Sequence, residues 1–111
     1  MDIHQINWNA IEWKTIREGV EQKAFSGSAA TIAMHRLVPG HEPRPHSHPH
    51  EQIAYIVSGR MRFHVGEDVR DVGPGGLIVI PGNVLHWGEV LGSEVVINID
   101  VFTPKRPEYA A

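Results

Sequence analysis

Residues 46–52, His46-Ser47-His48-Pro49-His50-Glu51-Gln52, place three imidazoles, a carboxylate and a side-chain amide in seven successive positions. An apolar run, "IAYIV", follows at once. In an extended chain the side chains at i and i+2 share a side, so His46 and His48 aim two nitrogens at one point. Pro45 and Pro49 stiffen the segment and lower the entropy lost on fixing it. If the following strand keeps this register, Gln52 faces inward while Glu51 and Ile53 face away. His50 has the parity of His48, but Pro49 disturbs the local register, and His50 is placed outside the ligand set. His86 follows the Pro81-Gly82 turn at the start of another strand and can bring a third imidazole. Imidazole suits Zn, Fe, Ni and Cu, and an amide oxygen makes a weaker, neutral fourth ligand. The expected cofactor is one divalent transition metal per chain, Zn, Ni, Fe or Mn. His4, His35 and His64 read as surface or satisfied core residues, and His41 as a solvated loop residue.

A second chemical signal lies near the end, in "VVINIDVFTPKRPEY". Ile97, Ile99 and Val101 form one apolar face, and Asn98, Asp100 and Phe102 form the other. A carboxylate in mid-strand costs several kcal/mol if it is buried without a partner. Asp100 is therefore either satisfied by backbone donors or an arginine, or it is an acid/base group beside a metal.

The remaining chain must hold these groups. Its 111 residues fit one domain, with the cluster motifs at 40–59 and 75–90 and an N-terminal arm at 1–19. Hydrophobic residues make up 41% and charged residues 21%, a globular balance rather than a disordered one. A net charge of −3 without a block of Lys or Arg argues against a nucleic-acid partner, since phosphate neutralisation needs clustered cations. The absence of cysteine excludes disulfides and thiolate ligands. The acidic, polar start lacks the pattern of a signal peptide, and no segment approaches the roughly 20 apolar residues of a membrane span. A cytoplasmic protein is the expectation.

From residue 20 onward short apolar runs alternate with turn signals. "RMRFHV" shows the period of two of a half-solvated strand. "EQIAYIV" and "LIVI" are apolar enough for both faces to be covered, by neighbouring strands or by a second copy of the chain. Gly92-Ser93 reads as a tight hairpin into the last strand. "NWNAIEWKTIREG" fits either a short helix or an extended arm, and Trp8 and Trp13 could supply part of the cover. Turn signals at this spacing mean an all-β sandwich or barrel, here with about eight strands, the number of a jelly roll.

Two spaced motifs sharpen the reading. Gly40, His46, His48, Gln52 and Gly59 stand at the spacing of the first motif of the cupin superfamily, and Gly75, Pro81 and His86 at that of the second. Gln52 replaces the usual Glu, the second glycine of the second motif comes one position early as Gly82 before Asn83, and Val90 replaces its closing Asn. The chain thus resembles the cupins, which implies a double-stranded β-helix with the metal in its mouth on His46, His48, Gln52 and His86. All four ligands would then be neutral, and the ion would keep its full charge toward anionic ligands. Glu51 lies on the wrong face to substitute.

The run Asp100-Val101-Phe102-Thr103-Pro104-Lys105-Arg106, together with the histidine cluster, resembles the KdgF-type cupins that ketonize unsaturated uronates. That resemblance implies Asp100 and Arg106 as a catalytic pair, with Phe102 lining the pocket and Arg106 also binding the substrate carboxylate. It implies a small, anionic substrate and a metal-dependent isomerase-like or lyase-like reaction in carbohydrate metabolism. The competing readings are a non-haem Fe(II) dioxygenase, a sugar isomerase and a non-catalytic small-molecule binder. A homodimer is the expected assembly, and no membrane partner is implied.

Overall fold

The computed structural model describes residues 3–109. A 3-10 turn, Trp8–Ala10, precedes nine strands: β1 Lys14–Arg17, β2 Val20–Ser26, β3 Thr31–Leu37, β4 Glu51–Ser58, β5 Arg60–Val65, β6 Asp68–Val72, β7 Leu77–Ile80, β8 His86–Leu91 and β9 Val96–Thr103. They form two antiparallel sheets, one ordered β1-β2-β3-β9-β4-β7 and the other β6-β5-β8. The fold is the all-β jelly roll expected, with one strand more. The ambiguous "NWNAIEWKTIREG" splits into the 3-10 turn and β1, because Gly19, at φ 81°, turns the chain back into β2. No helix among the described residues is long and apolar enough to cross a membrane.

The period of two decides what each sheet buries. Val20, Leu37, Ala54, Ile56, Ile80 and Val96 point inward from the larger sheet and meet Met61 and Phe63 of the smaller one. Ile56, Ile80 and Val96 are fully buried, each contributing about 1.5–3 kcal/mol of hydrophobic stabilisation. One expectation changes here. Gly92-Ser93 does not close a hairpin, because β8 pairs with β5 while β9 pairs with β3 and β4. The turn instead carries the chain from one sheet to the other.

On the outer face of the larger sheet, the described residues leave the β4–β7 half open. Leu77 is 69% exposed and Val79 54%, with Ile53, Tyr55 and Val57 open beside them. The N-terminal segment covers the opposite half of that face. There the Lys23 amine donates to the Trp8 carbonyl oxygen at 2.9 Å and lies 4.5 Å over the Trp13 ring.

Candidate metal centre

His46 and His48 do not lie in a strand, since β4 begins only at Glu51. They sit in the extended segment before it, which is held by two clamps. His46 and His86 exchange backbone hydrogen bonds at 3.0 and 2.9 Å, and the Asn83 amide donates to the His48 carbonyl oxygen at 2.7 Å. Gly82 allows that second clamp, because a Cβ there would come within 2.4 Å of the Pro49 carbonyl oxygen. The early glycine of the second motif is thus a close-approach glycine. Asn83 takes the left-handed conformation beside it, at φ 64°, which asparagine tolerates better than most residues.

The backbone also fixes the tautomer of each ring. The Nδ1 of His46 donates to the Arg44 carbonyl at 2.7 Å, that of His48 to the His50 carbonyl at 3.0 Å, and that of His86 to the Val84 carbonyl at 2.9 Å. A carbonyl oxygen only accepts, so each Nδ1 carries the proton and each Nε2 offers a lone pair. One nitrogen from each ring lies within 4.8 Å of the others, compatible with ligand bonds of about 2.0–2.1 Å. The His86 Nε2 is buried with no partner. Burial is the main cause that lowers the His48 and His86 pKa values from 6.5, and the charge of Arg106 adds to it. Both rings are therefore neutral, the form that binds a metal. These three residues could hold an ion.

Gln52 stands at the inner edge of the cluster and is 7% exposed, while Glu51 faces solvent, as the register requires. Its amide nitrogen donates to Asp100 Oδ1 at 2.8 Å, which turns its oxygen toward His48 Nε2 at 3.2 Å. Two lone pairs face each other at that distance with no proton between them. A cation shared by the two atoms would relieve that contact.

Asp100 is 3% exposed, and side chains satisfy it rather than backbone amides or an arginine. Besides Gln52, Asn98 Nδ2 donates to its two oxygens at 3.2 and 3.1 Å. His35 Nδ1 lies 2.8 Å from Oδ2, off the line of a good hydrogen bond. The Gln22 amide nitrogen donates to His35 Nε2 at 2.9 Å, so the proton of His35 is on the nitrogen that faces Asp100. Ala33 and Ala54, the cross-strand neighbours of Asp100 and both fully buried, leave room for this polar group.

A cavity of about 170 Å³ opens between the sheets, lined by His46, Gln52, His86, Asp100 and Phe102 among others. That is below the roughly 300–1,000 Å³ of pockets for drug-sized ligands, so it suits a small metabolite. The Phe102 ring meets His48 edge-on at 5.6 Å. Arg106 is not among the lining residues. Its guanidinium stacks 3.9 Å from the Tyr109 ring centre and 4.9 Å from that of Phe102, and its Nε donates to Glu108 at 3.1 Å. The His50 ring lies 5.5 Å from that of His48.

Several groups at the site were not singled out from the sequence. Gln22 and His35 face each other across β2 and β3 on the inward side, next to Asn98 of β9. Their parity with buried residues was the available signal, since an inward polar residue in an apolar strand needs a partner. Arg17, His41, Arg44 and Tyr109 also line the cavity. His41 is 8% exposed, which corrects its reading as a solvated loop residue. The cause is the β1–β2 turn, which lies against it.

Comparison with known proteins agrees with this architecture. The family model described as "Cupin domain" matches residues 33–102. A search of curated proteins finds no match. Among solved structures, KdgF from Halomonas sp. is 24% identical over 92% of this chain and 95% of its own, with a TM-score of 0.82. An RmlC-like cupin from Shewanella frigidimarina is 23% identical over 98% and 97%, with a TM-score of 0.86. Oxalate decarboxylase of Bacillus subtilis, a protein with Mn(II) centres, is 20% identical over 89% of this chain and 29% of its own, at 0.79. At such identities the likeness is one of fold.

Proposed function

Because the chain belongs to the cupin domain family, we propose that it is a metal-dependent enzyme that moves protons on a small acidic sugar, by ketonization and ring opening of an unsaturated uronate. The observation that carries this reading is the convergence of the His46, His48 and His86 nitrogens and the Gln52 oxygen beside a cavity that also presents Asp100. Those four residues would hold one divalent transition metal. When bound, the ion supplies a Lewis acid that polarises substrate oxygens, with its charge undiminished by a carboxylate ligand.

The chain's own residues do the rest. Asp100 is a carboxylate held in place by Asn98 and Gln52, and it is the group that takes or returns a proton at the substrate carbon or oxygen facing it. His35 lies 2.8 Å away with its proton turned toward Asp100. Phe102 walls the cavity beside His48, and Arg106, stacked on Phe102, helps keep His48 and His86 neutral. The uronate itself rests on the resemblance of residues 100–106 and the histidine cluster. We also propose that the chain works as a homodimer joined through the open face of β4 and β7.

The test is the ultraviolet absorbance of an unsaturated uronate monosaccharide, followed with protein loaded with Mn, Fe, Ni or Zn in turn, with and without oxygen. Oxygen-independent decay is expected, falling about 10²-fold or more in Asp100→Asn. Asn keeps an oxygen that can accept from Gln52, so metal content should stay unchanged. Decay that needs oxygen would move the protein to the dioxygenases. No decay with any of the four metals would remove the enzymatic reading.

A further inference from the structure

A second group of polar residues, Arg17, His41 and Arg44, also lines the cavity, together with Ile16. Three adjoining pieces of chain bring them there. A bulge between Thr15 and Arg17 breaks the alternation of β1, so that Ile16 and Arg17, successive residues, both reach the cavity. The turn after β1 rests on the loop after β3, since a Cβ on Gly19 would stand 2.8 Å from Val38 and 3.1 Å from the Cβ of His41. That loop then runs through Arg44 to His46.

None of the three is fully satisfied by the chain. His41 is buried, and neither its Nδ1 nor its Nε2 has a hydrogen-bond partner. Buried polar atoms are paired as a rule, and an imidazole with both nitrogens unmet beside a cavity is set to receive a ligand. Arg17 is anchored by its Nε, which donates to the Glu42 carbonyl oxygen at 3.3 Å. Neither Arg17 nor Arg44 forms an ion pair among the described residues. Burial first, and Arg44 next, work against the charge of Arg17, with Glu42 offsetting part of this. Two cations held close and outside any ion pair favour an anion between them.

The geometry points to an oxyanion subsite of Arg17, His41 and Arg44 that holds the carboxylate of a small hydroxy acid whose other end lies at the three-histidine centre. It deepens the proposed function and rests on it, since it names which residues read the acid group. A guanidinium fork matches a carboxylate with two parallel hydrogen bonds, and the His41 ring can donate a third. Arg106, engaged with Glu108 and two aromatic rings but with its Nη1 buried and unpartnered, is the competing clamp.

Calorimetric titration of the metal-loaded protein with glucuronate, glucose and glucose 6-phosphate tests the subsite without turnover. Glucuronate should bind at least tenfold more tightly than glucose. That advantage should disappear in Arg17→Gln and Arg44→Gln, survive in Arg106→Gln, and return in part in Arg17→Lys and Arg44→Lys, which keep the charge but not the fork. Metal content and melting temperature, measured alongside, separate loss of the subsite from loss of the fold. Equal binding of glucuronate and glucose, or wild-type affinity in both arginine-to-glutamine variants, would overturn the inference. Arginine-dependent binding of glucose 6-phosphate that exceeds glucuronate would overturn its carboxylate assignment. Arginine-dependent glucuronate binding without turnover of the unsaturated substrate would leave the subsite standing and the proposed reaction refuted.

Discussion

At the scale of single residues, the position where this chain departs from the usual cupin pattern is the most informative. Gln52 touches Asp100 through its amide nitrogen at 2.8 Å, so a glutamate in its place would set two carboxylates against each other in a buried site. Gln52→Glu should cost about 2 kcal/mol through the lost donor and like-charge contact. Adding Asp100→Asn should restore most of that by supplying an amide donor to the new carboxylate. Denaturant unfolding of the two single variants and the double closes the cycle, and additivity would break the link. A second expectation follows from the imidazoles. His48 and His86 have pKa values lowered from 6.5, so as pH falls the unfolded chain takes up protons before the folded one. Stability of the metal-free protein should therefore be level above about pH 6.5 and fall between there and the lowered folded values. Thermal melts across that range check the sign, and His86→Gln should flatten the profile.

Among the elements, the turns decide how well the site is held. Gly82→Ala would drive a Cβ into the Pro49 carbonyl and push away the segment that carries His48. Its expected effect is a loss of metal affinity of tenfold or more with only a few degrees of lost melting temperature, measured by competition with a chelator and by calorimetry. A drop in melting temperature with unchanged affinity would show that the turn does not position the ligands. This clamp was not legible in the sequence, because a glycine at a close approach looks like any turn glycine until the opposing backbone is known. The nearness of His46 and His48 was legible because i and i+2 share a side in extended chain, whereas His86 could be reached only through the turn and spaced motif before it. The strand parity that turned Asp100 inward was legible for the same reason. Its partners were not, since Gln22, His35 and Asn98 meet it only through the pairing of β2, β3 and β9. Nor was the crossing at Gly92-Ser93, because a turn between sheets and a hairpin use the same residues. Arg17 was hidden by its bulge, since a period-of-two reading cannot put neighbouring residues on one side.

For the whole molecule, the open face of β4 and β7 is the feature a monomer explains least. Ile53, Tyr55, Val57, Leu77 and Val79 are exposed there, and β7 leaves an apolar edge of the larger sheet unpaired. Sedimentation should give twice the 12.4 kDa chain mass at micromolar concentration, and Leu77→Asp with Val79→Lys should return the monomer without disturbing metal content. A wild-type monomer would sink the dimer. The cluster itself also joins larger parts than its residues suggest. His46 and His48 lead into β4 of one sheet, and His86 begins β8 of the other, with the His46–His86 bridge between them. An ion seated there acts as a rivet through both halves of the sandwich. Its residence time would follow how often the mouth of the barrel springs open, rather than the strength of any one imidazole, and occupancy would slow hydrogen exchange at the His46 and His86 amides together.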